Sequence, residues 1–391
     1  MLNYKKKICI LCIHPAPYRD PVIQSLCNID QYEVTVFYYF AKDEGHLEWD
    51  YKDTSFKKIY GNKYLKLNSV DGLHLNVFFW VLKKKYDVVV IPGYSRYNSL
   101  MAIILCFLFR RPYILSSDKV SQSKTRQRFT LKLINILEKI IVSCSSALWV
   151  AGYMSRQYYN SLGVPDKKIF EGSYCLMSNV ISDNVFINMR EEAHSRLCDK
   201  YFLNKNAIII LSVGKFKAFR RYLNLLKAIT KLNIFEKEAK SFFLFLIGDG
   251  DQMADINQYI TENRVDNIVL CGNVSFTNLS TYYFGSNIFI HPGAEPYSTA
   301  LEYAANCGLT IISTREVGYV HDYVRLGGKP FFVDIDNIDS MVLALTSAIN
   351  FVKNCNKNNI NYQNLTYPRS VEWAKNQLIN AIEYASLHLG V

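Results

Sequence analysis

Residues 291–314 read HPGAEPYSTALEYAANCGLTIIST. The apolar run Ile288 to Ile290 leads into them as a buried strand, and Pro292 and Pro296 break the next stretch into a loop carrying Glu295. Ser298 and Thr299 then open a short Ala-rich helix, which Gly308 stops before a second apolar strand. A helix that begins just past the end of a buried strand points its free N–H groups into the crevice there, a ready seat for a phosphate. Glu295 shares that crevice and can accept hydrogen bonds from hydroxyls. A phosphate seat beside a hydroxyl reader is what a nucleotide-sugar requires.

The surroundings of this stretch set the fold. Upstream, strands are predicted over 207–213, 242–247 and 267–271, alternating with helices over 222–231, 249–262 and 279–284. The first half runs the same way. Its predicted strands cover 8–13, 33–40, 87–91, 112–116 and 147–151. Its helices cover 20–26, 73–84, 99–109, roughly 123–142, and 155–162. Such alternation implies parallel sheets with helices on both faces. The fold class expected is α/β: two doubly wound, Rossmann-like domains facing across a cleft. The 391 residues also exceed what one core usually serves. The expected domains are 1–176 and 177–370, with a C-terminal helix over 371–391 returning to the first and a polar linker around 178–191.

Lys215 follows the first strand of the second half, and Arg220 and Arg221 open the next helix. Three cations at a strand's carboxyl end suit a diphosphate. Gly248-Asp249-Gly250 is a strand-to-helix turn whose glycines let a ligand approach the backbone. Gly272-Asn273-Val274 is a similar turn that could present backbone groups to a base edge. Neither half has G-x-G-x-x-G after its first strand, which argues against a nicotinamide dehydrogenase.

These motifs stand in a fixed order over about 100 residues, and the second half resembles the nucleotide-binding domain of family 4 retaining glycosyltransferases of the GT-B fold. That family carries a G-R-x5-K-type loop, a G-D-G turn, a V-x-F-x-G strand end and E-P-F-G-L-V-x-L-E-A-M-A-C-G. The matches here are Gly214-Lys215 through Arg220, Gly248-Asp249-Gly250, Val269-Leu270-Cys271-Gly272, and Glu295-Pro296-Tyr297 through Cys307-Gly308. The first half is similar more weakly, through Pro15–Arg19 and Pro112–Asp118. The resemblance implies that Lys215 and Arg220 neutralise the donor diphosphate and stabilise the leaving group. Glu295 would hold donor-sugar hydroxyls, and amides near Ser298 and Thr299 would seat the distal phosphate. It further implies front-face attack with retention of configuration, a nucleotide-sugar donor (UDP-linked) as substrate, and no cofactor. The resemblance also implies that no metal is needed.

Two departures from the family pattern matter. The family's second Glu, eight positions after the first, falls on Tyr303 when aligned without gaps, and Glu302 sits one residue early. One helical position is a rotation of about 100°, so only one of them can face the ribose; Tyr303 keeps register with Cys307-Gly308. In the first half, Pro15-Ala16-Pro17-Tyr18-Arg19 replaces a glycine-rich loop, and Ser117-Asp118 stands near the usual His. Asp118 could orient the acceptor hydroxyl or the donor sugar, and Arg19 could contact a phosphate. His14, Tyr18, Tyr94 and Arg96 could line the acceptor path, whereas His291 is expected to pack under its loop.

Charge is uneven: residues 1–176 hold 25 Lys and Arg against 14 Asp and Glu, and residues 177–391 hold 20 of each. The whole excess of +11 lies in the first half, which therefore suits an anionic partner. Lys124, Arg128 and Lys132 recur every four residues among apolar positions, as in a helix that lies on an anionic membrane. Peripheral contact at the inner face of the cytoplasmic membrane would suit a glycan or lipid-linked acceptor. The Lys5–Lys7 start followed by Ile8–Ile13 mimics a secretion signal, but the apolar part is short and His14-Pro15 follows it. It reads as a first strand, and the protein as cytoplasmic. Ten scattered cysteines, several in apolar runs, suit a reducing compartment. A nucleic-acid binder is disfavoured by the neutral second half. A GT-B epimerase lacks acid and base groups at matching positions, and a non-catalytic sugar-binding paralogue remains as the third reading.

Overall fold

The structure is a computed structural model that describes residues 4–41, 56, 58–61, 64–66, 72–75, 79, 81, 86–120, 128–175, 183–235, 241–357 and 369–388. The chain divides into two units, Met1–Ser178 with Pro368–Val391, and Asn179–Tyr367.

The first unit contains β1 (Lys6–Cys12), α1 (Asp20–Cys27), β2 (Tyr32–Tyr38), β3 (Lys58–Tyr60), β4 (Tyr64–Lys66), β5 (Gly72–His74) and β6 (Val88–Pro92). These are followed by α2 (Tyr97–Leu108), β7 (Tyr113–Ser117), α3 (Arg128–Cys144), β8 (Ala147–Val150), α4 (Tyr153–Ser161) and β9 (Ile169–Glu171). Seven strands form a parallel sheet in the order β3-β2-β1-β6-β7-β8-β9. The order reverses between β1 and β6, so the loops leaving their carboxyl ends diverge and open a crevice.

The second unit contains α5 (Asp183–Lys200), β10 (Ile208–Val213), α6 (Tyr222–Phe235), β11 (Phe242–Ile247), α7 (Met253–Glu262), β12 (Ile268–Gly272), α8 (Phe276–Gly285) and β13 (Ile288–His291). It continues with α9 (Thr299–Asn306), β14 (Thr310–Thr314), α10 (Gly318–Arg325), β15 (Phe331–Val333) and α11 (Ile338–Lys357). Its parallel sheet runs β12-β11-β10-β13-β14-β15, and reverses between β10 and β13. Both units thus have the doubly wound α/β architecture that the sequence implies.

Alternation along β1 explains why both sheet faces are covered. Ile8, Ile10 and Cys12 point to the side filled by α1 and by the last helix, α12 (Val371–Leu387). Cys9 and Leu11 point to the side filled by α2. Ala374, Leu378, Ala381, Ile382 and Ala385 of α12 are fully buried in the first core, so the C-terminal helix completes the N-terminal sheet. The ten cysteines are all free. No helix among the described residues is long and apolar enough to cross a membrane.

Two expectations need correction. The helix expected over 73–84 starts later than expected: Gly72–His74 form β5, paired antiparallel with β4, and the described residues beyond it, Leu75, Phe79 and Val81, are helical. Asn98 brackets that strand: its Oδ1 accepts from His74 N at 2.8 Å and its Nδ2 donates to the Gly72 carbonyl at 2.9 Å. The polar stretch expected as a linker is mostly α5. Its apolar face is sparse, and tertiary bonds anchor it: Arg190 Nη2 donates to the Ser286 carbonyl at 2.7 Å, and His194 Nδ1 lies 2.8 Å from the Gly285 carbonyl. Of the helix expected over roughly 123–142, the described part is α3, and its expected start, with Lys124 of the basic stripe, lies outside the described residues.

Candidate functional site

The residues of the 291–314 stretch gather where β10 and β13 part. The loop after β10 carries Gly214 and Lys215 into one turn of 3-10 helix, Ala218–Arg220. The loop after β13 comes up against it so closely that a Cβ on Gly293 would lie 2.5 Å from Arg220 Cα. Ala294 N donates to the Phe219 carbonyl at 3.2 Å and Thr314 Oγ1 to the Gly293 carbonyl at 2.6 Å. Glu295 is clamped through its backbone. Its N–H donates to the Glu316 carbonyl at 3.2 Å and its carbonyl accepts from Gly318 N at 2.9 Å. The side chain is thereby held on a fixed base rather than on a loose loop.

Three side chains meet there. Arg220 Nη2 lies 2.5 Å from Glu295 Oε1, and His291 Nε2 lies 3.0 Å from both Arg220 Nη1 and Glu295 Oε2. Burial pushes the Glu295 carboxyl up, but the hydrogen bond from His291 and the Arg220 charge outweigh it and hold the group below the usual carboxylate range. Burial also holds the His291 imidazole below its usual value, against the pull of Glu295. His291 therefore does more than pack under its loop: it is a third member of the cluster. Its place at a strand end, four residues before Glu295, was the available signal.

Lys215 is half-buried beside this cluster and has no ion-pair partner among the described residues. Arg221 departs from the expected trio of cations. It takes a left-handed conformation, φ 58°, and pairs in two-pronged fashion with Asp336, Nε to Oδ1 at 2.5 Å and Nη2 to Oδ2 at 3.0 Å. Ser298 caps α9, its Oγ accepting from Leu301 N at 3.3 Å. The first i→i−4 bond is Glu302 N to the Ser298 carbonyl, so the amides of Thr299 and Ala300 stand ahead of the helical ladder.

The glycine turns have a different use from the one expected. A Cβ on Gly248 would overlap the Gly214 carbonyl oxygen, and one on Gly250 would lie 2.7 Å from the Phe216 carbonyl oxygen. The backbone they admit is the chain's own, which locks the Gly214–Phe216 loop in place. Gly272 instead has open space around it, and Asn273 beyond it is exposed. Of the two ribose candidates, Glu302 is wholly buried and Tyr303 keeps a small accessible edge. The Tyr303 ring packs 4.4 Å from that of Tyr283 and lies nearly parallel to Phe276 at 6.3 Å.

In the first unit the carboxyl ends of β1, β7 and β9 bring expected residues together. Arg19 Nη2 donates to the His14 carbonyl at 2.7 Å, and the Tyr18 ring lies 4.7 Å from that of Tyr174. The Tyr174 hydroxyl donates to Asp118 Oδ2 at 3.2 Å, which joins His14, Tyr18, Arg19 and Asp118 in one group. Tyr174, just past the end of β9, was not anticipated. Tyr94 belongs elsewhere. Its hydroxyl donates to buried Glu138, which also accepts from Lys119 Nζ at 2.6 Å and the Tyr158 hydroxyl at 2.7 Å. Burial pushes the Glu138 carboxyl up, and the bonds from Lys119, Tyr94 and Tyr158 bring it below its usual value. Arg96 is half-buried just before α2.

Residues 196–362 match the family model described as glycosyl transferases group 1. No curated protein matches the chain. Among solved structures it is similar to a glycosyltransferase from Rickettsia africae ESF-5, at TM-score 0.66 and 15% identity, covering 98% of this chain and 97% of that one. It is also similar to Anabaena Alr3699/HepE in complex with UDP and glucose, at TM-score 0.63 and 13% identity over 98% and 95%. WaaG, a glycosyltransferase involved in lipopolysaccharide biosynthesis, gives TM-score 0.61 and 13% identity over 97% and 95%. What these likenesses share is the fold, two parallel-sheet Rossmann-like domains of the GT-B class.

Proposed function

We propose that the protein is a retaining, metal-independent glycosyltransferase that moves a hexose from a UDP-linked donor to a glycan or polyprenyl-linked acceptor. The observation that carries this reading is the Arg220–Glu295–His291 cluster beside capped α9, inside the residues matched by the family model. Lys215 and Arg220 take the diphosphate, and the amides ahead of α9 take its distal phosphate. Glu295, kept ionised by its two partners, accepts hydroxyls of the donor sugar. Tyr303 serves the ribose, since Glu302 is enclosed.

In the transfer, the bond from the anomeric carbon to the diphosphate oxygen breaks as the acceptor hydroxyl attacks the same face. The departing phosphate oxygen, its charge met by Lys215 and Arg220, takes the acceptor proton. The first unit supplies the acceptor side, with Asp118, fixed by Tyr174, orienting the hydroxyl and Arg19 near its phosphate.

The acceptor reading also draws on α2 and α3. Both pack on the same sheet face and turn large apolar side chains outward: Ile104, Phe107 and Leu108 from α2, and Ile136, Leu137 and Ile140 from α3. With Arg110, Arg111 and Lys139 close by in sequence, that face suits an anionic membrane surface. The protein then works at the cytoplasmic side of a membrane.

The test is release of UDP from UDP-hexoses by the purified protein, with the anomer of the released or transferred sugar read by NMR. UDP binding without turnover of any nucleotide-sugar refutes the enzyme in favour of a binding protein. An epimerised sugar nucleotide as product refutes it in favour of an epimerase.

A further inference from the structure

Away from the Arg220–Glu295 cluster, the second unit holds a cavity of about 550 Å³ between α5, the end of edge strand β12, and α8. Arg196 and Lys200 line it from one face of α5, four residues apart and therefore side by side on the helix. Lys200 Nζ donates to the Tyr282 hydroxyl at 2.9 Å and stands 5.0 and 5.4 Å from the ring centroids of Tyr201 and Tyr282. The two hydroxyls are 2.8 Å apart, and that of Tyr201 lies 3.6 Å from Cys271 Sγ.

The ammonium group is thus held by aromatic faces and a phenol instead of a carboxylate. Among the described residues no acid pairs with Lys200, and none of the side chains lining the cavity is acidic. Among the described residues Arg196 pairs with Glu192 alone, at 3.2 Å, in an exposed contact of little strength. The lining of the cavity thus carries two cations and no carboxylate. Its volume is that of a small-molecule site, and Asn273, Ser275 and Asn278 add amides and a hydroxyl to its wall.

We propose that this cavity binds a small phosphorylated polyol, of the sugar-phosphate class. Its phosphate sits on Lys200 and Arg196, and its hydroxyls sit on the amides of Asn273 and Asn278. The site goes beyond the glycosyltransferase reading and uses none of that reading's charged residues. It shares Asn273 and Val274 with the turn that was expected to meet a base edge.

Calorimetric titration of the full-length chain with glucose 6-phosphate, glucose, inorganic phosphate and UDP, at fixed ionic strength, tests this. Glucose 6-phosphate is expected to bind more tightly than either inorganic phosphate or glucose. Lys200→Gln combined with Arg196→Gln is expected to weaken it at least tenfold while leaving UDP affinity unchanged, and Arg220→Gln to do the reverse. Tyr282→Phe, which keeps the ring and removes one hydroxyl, is expected to weaken it a few-fold and carries the test if the double variant does not fold. Absence of glucose 6-phosphate binding, equal binding by the charge variants, equal affinity for phosphate alone, or displacement by UDP would each overturn the proposal. Failure of UDP to bind at all counts against the donor reading and leaves the glucose 6-phosphate comparison intact.

Discussion

Arg220 and Glu295 form an ion pair, Nη2 to Oε1 at 2.5 Å, although one is assigned to the donor's diphosphate and the other to its sugar. Both cannot serve the donor fully while they serve each other. An incoming diphosphate must draw Arg220 away from a carboxylate that is itself three-quarters enclosed. The pair therefore acts as a competitor for the donor's phosphates, and Glu295 is left ready for hydroxyls once Arg220 turns.

Glu295→Gln is accordingly expected to bind UDP more tightly than the wild type, by about tenfold or 1.4 kcal/mol, while transfer falls at least about a hundredfold. Titration calorimetry and a UDP-release assay read the two effects. Weaker UDP binding in this variant refutes the competition.

Acid should loosen the cluster in two stages. The folded His291 imidazole lies below its ordinary 6.5, so the unfolded chain takes up a proton first, and stability falls as pH drops below 6.5 toward the folded value. Glu295 is depressed below 4.5, so its contribution is present above 4.5 and is lost as pH falls through the folded value. His291→Gln should flatten the curve of melting temperature against pH just below 6.5. An unchanged slope in that window would remove His291 from the account.

The two kinds of glycine turn should respond differently to alanine. Gly248→Ala adds an overlap with the Gly214 carbonyl to a strained φ of +136° and should cost about 3 kcal/mol or more. Gly272→Ala, at φ +64° with nothing within 4 Å of the new Cβ, should cost only about 1–2 kcal/mol. Denaturant midpoints of the two variants give the comparison, and equal losses would refute the difference in role.

Leu378→Ala should destabilise the first unit by about 2–5 kcal/mol, because its fully buried side chain fills the face of the N-terminal sheet beneath α12. A loss under 1 kcal/mol would mean that α12 does not help to close that core.

Much of this was legible in the sequence because the strands at the centre of each sheet are apolar on both faces, as in the Ile208–Val213 run. The loops that follow them could then be placed by topology alone. What escaped depends on contacts between distant residues. Arg221 looks like a phosphate ligand until Asp336, 115 positions away, takes its guanidinium. The helix α5 lacks a strong apolar stripe, and bonds to Gly285 and Ser286 hold it. His291 gains its meaning from Arg220, which only the pairing of β10 with β13 brings near.

The return of α12 to the first unit has a consequence for biosynthesis. The second unit, Asn179–Tyr367, is continuous in the chain and can close as soon as it leaves the ribosome. The first unit begins the chain but lacks one wall until residues 371–387 emerge, so Ile8, Ile10, Val88 and Val90 wait uncovered through nearly the whole of translation. The domain made first is the one finished last. A ribosome stalled before Val371 would hold a folded second domain behind an open, adhesive sheet.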